Sequence, residues 1–214
     1  MNQIEKVRNN VKAFCSNDST GHDWWHVWRV VNLAKEISQK EGANETIVEL
    51  AALLHDVDDW KLASSSENYT NTIQILSEAQ YNSKIINKVV NVIKQVSFKG
   101  AGVNTKPTTI EAMVVQDADR LDAIGAIGVA RAFAYGGAKG RQIYIPGVEP
   151  VLHNTFEEYK NAKGHTINHF YEKLLLIKDL INTQTAKEIA KERHAFMLNF
   201  LNQFTNEWNE YSKQ

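Results

Sequence analysis

The chain has 214 residues, 43% of them hydrophobic and 23% charged, which is enough to bury a core as one compact domain, and its formal net charge is −1. With the two signs interleaved, it lacks the basic face that a nucleic-acid polymer requires, and no run of about 18 uncharged apolar residues is present to span a bilayer. The single cysteine, Cys15, excludes an internal disulfide and a cysteine-based zinc site, so any metal must be held by nitrogen and oxygen.

At the N-terminus, Met1-Asn2-Gln3-Ile4-Glu5-Lys6 lacks the apolar stretch of a secretion signal, and a cytoplasmic location is expected. Apolar residues then recur at helical spacing in Ile4-Val7-Val11-Phe14, Val27-Val30-Val31-Ala34-Ile37, Ile47-Leu50-Ala51-Leu54 and Ile86-Val89-Val90-Ile93. Asp23 is read as a cap for a helix starting at Trp24, and Gly42 as that helix's stop. Thr108 with Glu111, Asn154 with Glu157 and Thr185 with Glu188 signal further helix starts. The prolines, Pro107, Pro146 and Pro150, fall where the periodicity has already failed, so the fold class is all-α.

Tyr135 to Pro150, with Gly136, Gly137, Gly140 and Gly147, reads as a long loop, either a lid or a passive surface connection. Within it Gln142-Ile143-Tyr144-Ile145 is a candidate short extended piece or hairpin arm. Residues 166–212 are expected to form two helices with Trp208 and Tyr211 as an anchor. The expected organisation is a single domain over 1–214, with a core at about 20–135, a loop at 136–150 and a helical extension at 151–214.

Three patches combine histidine or aspartate with apolar surroundings: Gly21-His22-Asp23-Trp24-Trp25-His26, Leu53-Leu54-His55-Asp56-Val57-Asp58-Asp59 and Gln116-Asp117-Ala118-Asp119-Arg120-Leu121-Asp122. Carboxylates are almost never buried unpaired, so acids among Leu53, Leu54 and Val57, or after Met113-Val114-Val115, need a partner such as a cation. Helical spacing puts His26 with Arg29, Asp56 with Asp59, and Asp119 with Asp122 on common faces. Singly, each patch has an ordinary reading: a hydrogen-bonded core histidine, a solvated acidic face, a helix cap.

The ordered set, His26, then His55-Asp56, then Asp119, resembles the HD-domain metal-dependent phosphohydrolase superfamily. The strings at 21–26, 53–60, 97–100 (Ser-Phe-Lys-Gly) and 117–125 are similar to the small bacterial YpgQ-type nucleotide pyrophosphohydrolases. So are Tyr135-Gly136-Gly137 and Asn168-His169-Phe170-Tyr171-Glu172-Lys173-Leu174, and the likeness covers most of the chain.

That resemblance implies an HD-domain helical bundle with an additional C-terminal helical pair, in which His26, His55, Asp56 and Asp119 hold one divalent transition metal. Manganese is the first expectation, with iron, nickel, zinc and magnesium as alternatives. A single ion is expected because Ile93-Lys94-Gln95-Val96-Ser97 lacks the extra histidines of two-metal relatives. Asp59 is the expected base, and Lys99 and Arg29 its catalytic companions beside the phosphate. Arg120, Asp122, Arg141 and His169 are the candidate substrate contacts. Trp24, Trp25, Trp60 and Phe98 are candidates for a wall beside a base, while His22, His153, His165 and His194 are read as surface or packing histidines.

The implied reaction is hydrolysis of a (deoxy)nucleoside triphosphate to monophosphate and pyrophosphate. Nucleoside monophosphate phosphatase, other HD phosphatase or phosphodiesterase activity, and a non-catalytic metal-dependent binding module remain open beside it. The expected partner is a nucleotide, with neither a nucleic-acid polymer nor a membrane, and a homodimer is allowed.

Overall fold

The computed structural model describes residues 2–15, 23–58, 68–96, 106–151 and 164–210. These form helices α1 (Gln3–Phe14), α2 (Trp24–Glu41), α3 (Glu45–Leu54), α4 (Thr70–Glu78), α5 (Ser83–Val96), α6 (Ile110–Asp122), α7 (Gly125–Ala138), α8 (Thr166–Glu172) and α9 (Gln184–Glu210), with a 3-10 helix at Leu174–Leu180 between the last two. No strand occurs among the described residues, in keeping with the all-α reading. None of the described helices is long and apolar enough to cross a membrane. The chain divides into two compact units, Met1–Asp119 and Arg120–Gln214.

The first unit is organised on α3, which packs against α1, α2 and α5. Its sequence explains why: Ile47, Val48 and every residue from Leu50 to Leu54 are buried, so this short helix is apolar nearly all round and must be surrounded. Its neighbours each offer one apolar stripe, Val7 and Val11 on α1, Val27 to Ile37 on α2, and Val89, Val92, Ile93 and Val96 on α5. Asp23 caps α2 by accepting the His26 amide at 2.9 Å, and Gly42 ends it in the left-handed region at φ 70°. Asn44 caps α3 through the Ile47 amide.

In the second unit α9 packs on α7 and on the 3-10 helix, and α7 packs on α8. Gly136 permits the last of these approaches, because a Cβ there would lie 2.3 Å from Thr166 Oγ1. Phe170, Phe200, Phe204, Tyr144 and Trp208 form a chain of ring contacts along α9, which gives Trp208 the anchoring place expected of it. Tyr211, its expected companion, lies outside the described residues.

Several local expectations change. Helix α7 continues to Ala138, so the glycine-rich segment begins later than Tyr135. It is also tied down: Thr166 and Ile167 donate their amides to Gln142 and Ile143 carbonyls at 2.9 and 3.1 Å, and Asn168 Nδ2 reaches the Val148 carbonyl at 3.0 Å. The extended piece at 142–145 thus meets the unsatisfied amides at the start of α8 rather than pairing as a strand. Helix α6 is capped one residue later than expected and α9 two residues earlier, by Thr109 and Thr183 hydroxyls accepting Ala112 and Ala186 amides, instead of by Thr108 and Thr185. Thr108 instead donates twice to the Gln95 side chain. The expected C-terminal pair is broken into three, because Lys173 leaves the helical region at φ −143° and the chain tightens into the 3-10 segment. The start expected at Asn154 falls outside the described residues.

Candidate metal centre

Four side chains of the first unit converge although up to 93 residues separate them. His26 comes from the first turn of α2, where it is completely buried. His55 stands at the C-cap of α3 and Asp56 one residue on, so this pair lies in the turn that follows the helix rather than on it. Asp119 comes from α6, with its side chain 34% exposed, and forms the open edge of the cluster.

The Nε2 atoms of His26 and His55 are 3.3 Å apart. Asp56 Oδ2 is 3.4 Å from each of them, and Asp119 Oδ1 lies 3.5 Å from His26 Nε2 and 3.8 Å from His55 Nε2. His55 Nδ1 lies 2.8 Å from the Ala52 carbonyl, an acceptor that requires a proton on Nδ1 and leaves the Nε2 lone pair turned into the cluster. The carboxylate distances exceed the roughly 2.7–2.9 Å of a charge-assisted hydrogen bond. They match the spacing of neighbouring donors on one ion, since bonds of about 2.0–2.2 Å place adjacent ligands about 3.0–3.5 Å apart. The donor set therefore fits a divalent cation, and His26, His55 and Asp56 alone already form a compact ligand group.

The turn carrying His55 and Asp56 is fixed from outside. Asp58, buried, accepts the Asn71 amide at 3.1 Å and the Thr72 amide at 2.9 Å, capping α4 from 14 residues away. Helix α4 needs this because Tyr69, at its N-cap in the left-handed region, offers no side-chain cap. Sequence reading missed Asp58 because its carboxylate stands between two others, Asp56 and Asp59, and only the position of α4 singles it out. On the other side of the cluster, Gln116 Nε2 donates to the Gln95 carbonyl at 2.9 Å, tying α6 to the end of α5.

The other expected site residues are placed as follows. Arg29 lies on α2 one turn after His26 and is half-buried. Asp59, Lys99, Trp60 and Phe98 lie outside the described residues. Trp24 is half-buried and lines a shallow cleft with Arg8 and Trp28, while Trp25 is 61% exposed. In the second unit Asp122 is buried and paired with Arg131 at 2.6 Å, a partner within the fold. Arg120 donates to the Leu180 carbonyl. Arg193, which sequence reading did not single out, donates to the Leu121 carbonyl at 2.6 Å, its stem passing Gly125 where a Cβ would meet it at 2.9 Å. Arg141 and His169 both belong to this unit, and burial, then Lys173, then Arg141 hold the His169 imidazole down to about 3. His165 takes the packing role: it is buried and caps α8 by accepting the Asn168 amide.

Comparison with known proteins agrees with this geometry. The HD domain family model matches residues 24–124, a stretch containing all four converging side chains. The YpgQ protein of Bacillus subtilis is 42% identical over 209 residues, covering 95% of this chain and 92% of that one. A crystal structure of an HD-superfamily hydrolase from Bacillus thuringiensis is 43% identical, with 96% of each chain covered and a TM-score of 0.77. The Bacillus subtilis YpgQ structure in complex with ADP is 37% identical, with 95% of this chain and 97% of that one covered and a TM-score of 0.76.

Proposed function

Because the chain belongs to the HD-domain family, in its YpgQ-type branch, we propose that this metal-dependent hydrolase acts on nucleoside triphosphates and releases monophosphate and pyrophosphate. The observation that carries a hydrolytic reading is the convergence of two imidazole nitrogens and two carboxylate oxygens at 3.3–3.8 Å, three of the residues buried and one facing outward. A nucleotide is favoured as substrate because a similar protein has been crystallised with ADP.

A divalent cation on these four side chains would lower the pKa of a bound water and offset charge on a phosphate oxygen, and the mixed imidazole and carboxylate set suits manganese or a neighbouring transition metal. His26 and His55 supply neutral nitrogen donors, and Asp56 and Asp119 supply the negative charge that makes the site divalent-selective. In the overall reaction the oxygen of water bonds to the α-phosphorus while the bond from that phosphorus to the α–β bridging oxygen breaks. The bridging electrons leave with pyrophosphate, and the water's proton passes to a base. Asp59, four residues after His55, is the carboxylate assigned that proton, and Lys99 and Arg29 are assigned the phosphate charge.

The test is turnover of a nucleotide panel by the purified protein with manganese and with a chelator, products being separated. Monophosphate and pyrophosphate from triphosphates, abolished by the chelator, is the expected result. Nucleoside and phosphate from monophosphates would establish a phosphatase in its place. A fully metal-loaded protein that turns over none of the panel would establish a binding module.

A further inference from the structure

Three of the four converging donors, those of His26, His55 and Asp56, gather into a tight group by themselves, and Asp119 completes the set from its open edge with its side chain 34% exposed. A carboxylate one-third open to solvent is not fixed by packing over it, so its position depends on how α6 itself is set. The consecutive residues Val114 to Ala118 are each at most 1% exposed. At 3.6 residues per turn they point in every direction, so α6 is enclosed all round just before Asp119. The apolar contacts of Val114, Val115 and Ala118 resist separation but are non-directional, and they fix the helix's rotation less sharply than a hydrogen bond does. Rotation matters here: about 10° moves an atom about 5–6 Å from a helix axis by about 1 Å, half the length of a bond of about 2.0–2.2 Å from nitrogen or oxygen to a metal.

Gln116 supplies the directional contact. It is 1% exposed and stands three residues before Asp119, on the same face of α6. Its Nε2 donates at 2.9 Å to the Gln95 carbonyl, one of the last carbonyls of α5, which that helix leaves without a partner of its own. The acceptor is anchored in turn. Gln95 Oε1 accepts the Thr108 amide at 2.7 Å and the Thr108 hydroxyl at 3.0 Å, and its Nε2 donates to the Asn91 carbonyl at 2.9 Å. Gln95 is thus held by its own helix on one side and by the residue leading into α6 on the other.

We propose that Gln116, held by Gln95, is the positioning residue for Asp119 and sets the rotation of α6 at which this outer carboxylate meets the cation. It acts through the helix and not as a donor to the ion. An unbranched amide suits the task, because it reaches a carbonyl on the neighbouring helix with a strong N–H and adds no charge beside Asp56 and Asp119. Losing that bond leaves a buried carbonyl unmet and frees the rotation that places Asp119. The assignment rests on the metal-dependent reading of the site and is independent of which nucleotide, or which phosphate bond, is the substrate.

The experiment is cobalt(II) titration of the chelator-treated full chain, read by the visible spectrum of the bound ion, on the unsubstituted protein, Gln116→Met, Asp119→Ala and the double variant. Methionine keeps the length of the side chain and removes the donor. Gln116→Met is expected to weaken cobalt binding about tenfold and to move the spectrum toward that of Asp119→Ala, because the outer carboxylate no longer meets the ion. In the Asp119→Ala background the same substitution should cost nothing further, since the residue it positions is gone. Affinity and spectrum unchanged in Gln116→Met, or a loss of equal size in both backgrounds, would overturn the proposal. Gln95→Leu, at a half-buried position, releases Thr108 and gives the same cycle with a smaller loss of about threefold. An equal loss with and without Asp119 in that cycle refutes the proposal even where Gln116→Met does not fold. An unsubstituted protein that takes up no cobalt refutes both the proposal and the metal-dependent reading. The expected cycle without hydrolysis of any nucleotide would leave Gln116 in its role and remove the proposed function. Hydrolysis of triphosphates with a strictly additive cycle would do the reverse.

Discussion

The backbone amide of Thr72 donates to Asp58 Oδ2 at 2.9 Å, so a carboxylate two residues after Asp56 serves as the missing cap of α4. One side chain thereby joins the turn that holds two of the four converging donors to a helix that holds none. Asp58→Ala removes two charge-assisted bonds and leaves the Asn71 and Thr72 amides unmet, which should cost about 1–3 kcal/mol. Metal affinity should fall with it, since the His55-Asp56 turn loses its outer tie. Chemical denaturation and manganese titration of the same variant measure both, and unchanged values would return Asp58 to an incidental contact.

Asp56 and Asp59 should respond differently to the same chemical change. Asp56→Asn weakens the charge offered to the cation, so metal occupancy and rate should fall together. Asp59→Asn should retain metal and lower turnover by about two to four orders of magnitude, the usual range for general acid–base assistance. Metal analysis beside pyrophosphate release on each variant makes the comparison, and full activity in Asp59→Asn would eliminate it as the base.

Gly136→Ala places a methyl 2.3 Å from Thr166 Oγ1, where α7 and α8 meet. The helices must separate or Thr166 must turn, at a cost of about 1–3 kcal/mol. Adding Thr166→Ala removes the atom that is struck, so the double variant should be more stable than the two single effects predict. Melting curves of the four proteins test this, and strict additivity would place the strain elsewhere.

His169 also makes a prediction about pH. Its folded pKa of about 3 lies below the ordinary value of 6.5, so between those values the unfolded chain binds the extra proton. Its contribution is therefore constant above about pH 6.5, and stability is lost as pH falls from there toward 3. His169→Gln should flatten the decline between about pH 6 and 4.5 by no more than one proton's linkage. Denaturant midpoints across that range read it, and identical slopes in both proteins would show that His169 is not held neutral.

What the sequence determined by itself was the part that rests on local physics. The 3.6-residue apolar periodicity of α1, α2, α3 and α5 is a property of neighbouring residues, as are the cap at Asp23 and the left-handed stop at Gly42. The ordered pattern of His26, His55-Asp56 and Asp119 was likewise legible as a set, because acids and histidines inside apolar runs demand an explanation wherever the runs end up. Less of the chain between 125 and 151 was legible: alanine and glycine give α7 little periodic contrast, and its stop at Gly140 depends on a cap that involves residues on both sides.

Only the tertiary structure decided which polar groups meet. Four carboxylates, Asp56, Asp58, Asp119 and Asp122, look interchangeable in the chain, yet the first and third turn toward two imidazoles, the second caps α4, and the fourth pairs with Arg131. The same holds for the cations, since Arg120 and Arg193 close the ends of neighbouring segments while Arg141 is left over Tyr135. These outcomes depend on partners up to 93 residues away. Hydrogen bonds and ion pairs act over about 3–4 Å, so the partner is selected by how helices pack and not by any spacing along the chain.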